Sequence, residues 1–242
     1  MRSLQSLVAA IAVLTCLSTP AVAAGVLYVD DFSDATLNPF WETRIEDPGF
    51  SIIQNSGMLT IDSPTAPSAH LNASIDSVGR YGGTDFAVSV DYRVPQGNAM
   101  AWLTIGQDPG VGNPETFGMY LFGFQDYRRW LDNATNFGGQ VVQANFGNER
   151  TVWHNFKISY DASAQSASAF IDNVMVSTES VNLDNSFIRL NMKDSSVYGP
   201  GPSQVQFDNF HLSAVSAVPE PSSAVALLGC LVVEFVRRRR RR

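Results

Sequence analysis

The chain has 242 residues, of which 45% are apolar and 16% are charged. This apolar fraction is typical of globular domains and excludes a wholly disordered protein. The body of the chain, residues 25–217, carries 9 basic and 21 acidic side chains, a net charge near −12. A body this acidic repels nucleic acid, so we expect no nucleic-acid partner. The body also lacks cysteine, which excludes a thiolate metal site and a cysteine nucleophile there.

Residues 1–24 have the features of a secretory signal peptide. Arg2 provides a positive start, residues 4–17 are mostly apolar, and small residues follow Pro20 at positions 21–24. The alternative is a buried N-terminal helix. We expect export, and the body then uses no disulfide in its oxidising destination.

The body shows short apolar–polar alternation separated by turn signals, which is typical of β-strands. The clearest case is residues 85–94, where one face is predicted to carry Phe86, Val88, Val90, Tyr92 and Val94. Residues 51–61 predict a hairpin around Asn55, Ser56 and Gly57. Asp172 and Asn173 predict a tight turn, and the apolar phase slips at Asp208 and Asn209, which predicts a bulge.

Ten to twelve such strands are expected, which favours an all-β antiparallel sandwich over a β/α fold. Five segments occur in a characteristic order: DDF at 30–32, LNPFW at 37–41, WHNFKI at 153–158, FIDN at 170–173 and VQFDNF at 205–210. Together they resemble the concanavalin A-like lectin/glucanase superfamily. The resemblance implies a jelly roll over residues 25–213, with two stacked sheets and adjacent first and last strands.

Laminarinase-like members of this superfamily carry two glutamates and an aspartate on one strand, spaced E-x-D-x-x-E. Retaining glycosidases need two carboxylates about 5–5.5 Å apart, which neighbouring residues on one sheet face can supply. The body contains five glutamates, none with that spacing, and Glu42 and Glu46 are expected to flank a loop. We therefore expect a non-enzyme. A divergent glycan hydrolase or lyase, with a carboxylate pair from distant strands, is the alternative.

Aromatic residues are concentrated in residues 98–146, where alternation places Leu103 and Ile105 in the core and Trp102 on the other face. Sugars stack on aromatic rings, so we expect non-catalytic binding of extracellular polysaccharide, and of neutral glycans because the body is acidic. Simple packing of these rings is one alternative, and a structural or adhesive matrix protein is another. The candidate ligand-binding residues are Trp102, Tyr120, Phe122, Tyr127 and Trp130.

The superfamily resemblance also implies a structural calcium ion where the first and last strands meet. Its candidate ligands are Asp30, Asp31 and Asp208. Calcium takes six to eight oxygen ligands, of which these carboxylates supply some. The alternative is that these aspartates bond the backbone of local turns.

The C-terminal segment, residues 218–242, follows a short spacer at 214–217 and has three parts. A proline-rich motif comes first, an apolar helix is predicted over residues 222–236, and arginines end the chain. Fifteen helical residues span about 22 Å, and an arginine cluster fixes its end in the cytoplasm. The motif is Val218, Pro219, Glu220 and Pro221, and the cluster is Arg237, Arg238, Arg239, Arg240, Arg241 and Arg242.

This three-part tail resembles the PEP-CTERM sorting signal of Gram-negative bacteria. The resemblance implies an exosortase partner and transient anchoring in the inner membrane. It then implies release to the cell surface or the biofilm matrix. Glu234 departs from a purely apolar stretch, and a plain membrane anchor that is never cut is the alternative.

Overall fold

The computed structural model describes residues 25–65, 71–107, 114–122, 126–133, 136–143, 150–195, 197 and 201–214. The chain divides into two units, and all of these residues belong to one of them, Ala24–Val215. The predicted signal peptide and sorting tail lie outside the described residues and stay predictions. In the described part of the chain, no helix is long and apolar enough to cross a membrane.

The described residues form fifteen strands, which confirms the all-β expectation and exceeds the expected number. They are β1 Gly25–Asp30, β2 Trp41–Ile45, β3 Ser51–Asn55, β4 Met58–Ser63, β5 Leu71–Ser77, β6 Phe86–Gln96, β7 Met100–Gln107, β8 Thr116–Phe122, β9 Asp126–Asp132, β10 Phe137–Gln143, β11 His154–Asp161, β12 Ser166–Ile171, β13 Val174–Ser180, β14 Ser186–Asp194 and β15 Ser203–Ala214.

The strands form two antiparallel sheets that enclose one main apolar core. The eight-stranded sheet has the order β13-β12-β11-β6-β15-β4-β3, with β1 also paired to β15. The seven-stranded sheet has the order β10-β9-β8-β7-β14-β5-β2. Gly25 opposes Ala214 and Asp30 opposes Phe210, so the first and last strands are adjacent, as the superfamily resemblance implied.

Local sequence signals explain the strands and turns that the structure shows. All five apolar residues of the alternating β6 face are buried, as predicted. Ser56 and Gly57 have φ angles of 54° and 75°, the left-handed pair that a two-residue hairpin needs. Asp172 and Asn173 form the same kind of left-handed pair, with φ angles of 49° and 66°. The predicted bulge in β15 is also confirmed, because its register with β6 shifts between Asp208 and His211.

Aromatic rings fill much of the core between the sheets. Tyr92 stacks on Phe156 with ring centroids 3.7 Å apart. Trp41 meets Phe210 edge-on at 4.8 Å and donates its indole N–H to Asp30 Oδ2 at 3.0 Å. The core therefore fixes β2 at the edge of the seven-stranded sheet, which positions the outward side chains of β2.

Candidate functional site on the outer face of the seven-stranded sheet

The seven-stranded sheet turns alternate residues toward the core and away from it. The residues directed away from the core form what we call the outer face, and strand pairing aligns their side chains in rows across the sheet. The first row runs in order through Glu42, Asp76, Arg189, Thr104, Gly118 and Trp130. The second row runs through Arg44, Ser74, Asn191, Trp102, Tyr120 and Arg128.

Three of the five predicted ligand-binding aromatic residues meet on this face. Trp102 stacks on Tyr120 with centroids 4.0 Å apart and planes 9° from parallel. Trp130 meets both edge-on, at 5.6 Å and 6.5 Å. With Met100 they form a cluster separate from the main core, which we call the outer aromatic cluster.

Tyr127 is not part of this cluster. Tyr127 is fully buried in the main core, where it meets Phe156 edge-on at 5.8 Å. Its position in β9 is three residues from Trp130, and an odd separation along a strand puts two side chains on opposite faces. Phe122 is the last residue of β8 and pairs with Asp126.

A carboxylate pair lies in the first row. Glu42 and Asp76 are directly opposed across β2 and β5, and Glu42 is exposed whereas Asp76 is 4% exposed. Arg189 donates two hydrogen bonds to Asp76, from Nε to Oδ1 at 2.7 Å and from Nη2 to Oδ2 at 2.6 Å. Ser74 Oγ donates to Asp76 Oδ1 at 3.0 Å. The expectation of a loop between Glu42 and Glu46 is wrong, because the residues between them belong to β2, which buried Trp41 anchors in the core.

In the second row, the indole Nε1 of Trp102 and the amide Oδ1 of Asn191 are buried without a hydrogen-bond partner in the described part of the chain. Each of these side chains is 8% exposed. An unsatisfied buried donor or acceptor costs about 1–3 kcal/mol. Asn191 opposes Trp102 across β14 and β7, so a donor and an acceptor lie side by side.

The three predicted calcium ligands lie in different surroundings. Both carboxylate oxygens of Asp30 are taken, by the Tyr28 hydroxyl at 2.8 Å, the Phe32 N–H at 2.9 Å and the Trp41 indole. The assignment of Asp30 as a metal ligand stays a prediction. Asp31 is exposed and Asp208 opposes Asp91, but among the described residues no group of three or more His, Cys, Asp or Glu could hold a metal ion.

Burial raises the pKa of the Asp208 carboxyl, and the negative charges of Asp91 and Asp31 raise it further, against the lowering effect of the Asn209 N–H. A carboxyl whose pKa is raised in the folded state favours folding only while it is protonated. Its contribution is lost as the pH rises through that folded pKa.

In EDTA, we therefore expect Asp208→Asn to raise the melting temperature at pH 7 and to leave it unchanged below about pH 3.

If calcium binds Asp31 and Asp208, the wild type should gain about 5–10 °C in saturating Ca²⁺, because a ligand at 100 times its Kd adds about 2.7 kcal/mol. Asp208→Asn should gain nothing from Ca²⁺. A wild-type melting curve that is identical in Ca²⁺ and EDTA would contradict the calcium site.

A scan against protein-family models finds no match, and no curated protein is similar in sequence. Several solved structures have the same fold. The endo-1,3-beta-glucanase (laminarinase) catalytic domain from Thermotoga petrophila RKU-1 has a TM-score of 0.63 and 13% identity, covering 80% of this chain and 99% of that chain. The endo-1,3-beta-glucanase from Streptomyces sioyaensis has a TM-score of 0.63 and 13% identity, covering 83% and 99%.

A third solved structure with this fold is named for a different enzyme activity. The GlcNAcα1-4Gal releasing endo-β-galactosidase from Clostridium perfringens has a TM-score of 0.63 and 13% identity, covering 81% of this chain and 64% of that chain. The chain has the jelly-roll fold of these concanavalin A-like glucanases. This likeness establishes the fold alone, because the identity is low.

The comparisons contradict two expectations from the sequence. We expected a non-catalytic binding module and a non-enzyme, whereas the matching structures are glycoside hydrolases. The expectation rested on a search for all the carboxylates on one strand, with a pair from distant strands as the alternative. Glu42 and Asp76 stand on different strands, 34 positions apart in the chain, and only the pairing of β2 with β5 brings them together.

Proposed function

We propose that the protein is a hydrolase that cleaves glycosidic bonds of an extracellular polysaccharide on the outer face. The observation that carries this proposal is the Glu42–Asp76 pair, which lies on the same sheet face as the outer aromatic cluster. A carboxylate pair and an aromatic cluster, in which Trp130 is the partly exposed ring, are thus on one face.

The geometry of the pair supports this chemistry. Directly opposed residues of antiparallel strands have Cβ atoms about 4.5–5.5 Å apart. Retaining glycosidases place their two carboxyl groups about 5–5.5 Å apart, a separation that side chains starting from neighbouring Cβ atoms can reach. Arg189 and Ser74 hold Asp76 in one orientation, so Asp76 suits the carboxylate that stabilises positive charge on the sugar or attacks its anomeric carbon. Glu42 is exposed and suits the group that donates and later accepts the proton.

The arrangement differs from the one-strand pattern of laminarinase-like enzymes. The middle outward position of β8 is Gly118, where an added Cβ would collide with the Thr104 side chain and lie 2.9 Å from the Leu103 carbonyl oxygen. That position therefore cannot hold a carboxylate without a shift of β7. The carboxylates of the outer face come instead from β2 and β5 at the other side of the sheet.

We also propose that the enzyme acts outside the cell. This rests on the sequence of residues 1–24 and 218–242, which predict export, anchoring through the apolar segment and sorting by an exosortase-type enzyme. A polysaccharide-cleaving enzyme sorted in this way would act on the matrix around its own cell.

The test is the release of reducing ends by the full-length protein from a panel of neutral and acidic polysaccharides. We expect release that grows with time and with enzyme concentration on at least one polymer, and none from heat-denatured protein. A folded sample that releases no reducing ends from any polymer would overturn the proposal.

A further inference from the structure

We propose that the polysaccharide carries an anionic substituent, a carboxylate or a sulfate, and that Lys193 binds it. This inference rests on the proposed function, because it names the substrate class for the same face. Lys193 lies in β14, opposed to Asn72 on one side and to Met100 on the other. Met100 belongs to the outer aromatic cluster, so Lys193 is a direct cross-strand neighbour of that cluster.

Lys193 differs from Arg189 and Arg128 in having no carboxylate partner. Arg189 is bonded to Asp76, and Arg128 lies 3.5 Å from Asp126. Among the described residues no carboxylate forms an ion pair with Lys193, which is only partly exposed. An ammonium group without an ion-pair partner attracts an anion by Coulomb interaction. A ligand anion would supply the charge that the protein does not.

The unpartnered atoms of Trp102 and Asn191 extend this site. The Trp102 indole can only donate and the Asn191 carbonyl oxygen can only accept, whereas a sugar hydroxyl can do both at once. Asn191 and Lys193 are two residues apart on one face of β14, which is about 7 Å. The site thus offers partners for a hydroxyl and, one position along the strand, for an anionic group of the same or the next sugar.

The net charge of the body led us to expect neutral glycans. At physiological ionic strength, charges are screened over about 8 Å, so distant acidic residues have little effect on a group in contact with the protein. Contact groups therefore decide the ligand, and a cation without an ion-pair partner on this face favours an acidic glycan.

The test measures binding by calorimetry to the full-length protein in EDTA, which removes bridging metal ions. The probes are oligomers of polymannuronate, of a sulfated galactan and of neutral β-1,3-glucan. We expect one of the two acidic probes to bind at least tenfold more tightly than the neutral probe, with an affinity that falls as salt is added. Which acidic probe binds distinguishes the carboxylate from the sulfate.

The variants Lys193→Gln and Lys157→Gln form a matched pair, because these are the two lysines of the body and Lys157 lies on the eight-stranded sheet. We expect Lys193→Gln to lose at least tenfold in affinity for the acidic probe, with Lys157→Gln unchanged and Lys193→Arg close to wild type. Equal losses in both glutamine variants, or tighter binding of the neutral probe, would overturn the proposal. Hydrolysis of neutral glucan that Lys193→Gln leaves intact would overturn it while sustaining the proposed function.

Discussion

Replacing Glu42 by glutamine is expected to reduce the release of reducing ends by a factor of about 10²–10⁴, the usual contribution of a general acid–base group. Glutamine keeps the size of the side chain and removes the proton that the leaving group needs. Glu42 is exposed, so we expect the melting temperature to stay within about 2 °C of the wild type, as for most surface substitutions. The measurement is the initial rate at saturating polysaccharide.

Asp76→Asn should reduce the rate by a similar factor, but it also breaks the ion pair with Arg189 and should lower the melting temperature. The matched control is Asp62→Asn on the eight-stranded sheet, whose carboxylate accepts a bond from Gln204 at 2.7 Å. Asparagine can still accept that bond, so the control should keep its activity. Unchanged activity in Glu42→Gln would show that this carboxylate has no part in the reaction.

Removing two rings of the outer aromatic cluster, in the double variant Tyr120→Ala/Trp130→Ala, should weaken glycan binding at least tenfold, which corresponds to about 1.4 kcal/mol. Trp130 is the partly exposed ring that offers a sugar an apolar face, and buried Tyr120 packs against it. The cluster is separate from the main core, so the protein should stay folded although less stable. Calorimetry with the tightest-binding oligosaccharide measures the loss, and circular dichroism checks the fold.

The matched control for ring removal is Trp153→Ala. Trp153 is partly exposed and lies against the Arg93 guanidinium, whose carbon is 4.5 Å from the ring centroid. Arg93 belongs to β6 in the eight-stranded sheet, away from the outer face. The Trp153→Ala substitution should therefore leave glycan binding unchanged. Equal affinities of the double variant and the wild type would place the sugar elsewhere on the protein.

The sequence predicted the strands well because their signal is local. In β7, alternation put Leu103 and Ile105 in the core and Trp102 on the other face, and the structure agrees. Alternation in β8 placed Tyr120 opposite to Met119 and Leu121, also correctly. The tight turns were visible for the same reason, since a left-handed backbone favours a few residue types.

The candidate site was only partly predictable, because its carboxylate pair depends on strand order. Asp76 and Arg189 are 113 positions apart, and no local pattern pairs β5 with β14. Tyr127 was misjudged for a different reason. It was named among the candidate ligand-binding residues, whereas the alternation of β9, which begins at Asp126, directs Tyr127 into the core.

The pairing of β1 with β15 sets how the sandwich responds to mechanical load. Gly25 and Ala214 oppose each other at the same end of an antiparallel ladder. Tension applied between these two residues would open that ladder one hydrogen bond at a time, as a zip opens, instead of shearing all of its bonds together. A chain held from its C-terminal side alone would carry no such tension between Gly25 and Ala214. Drag on a bound polymer would then reach the tether through the hydrogen-bonded sheets and the core, where many contacts share the force.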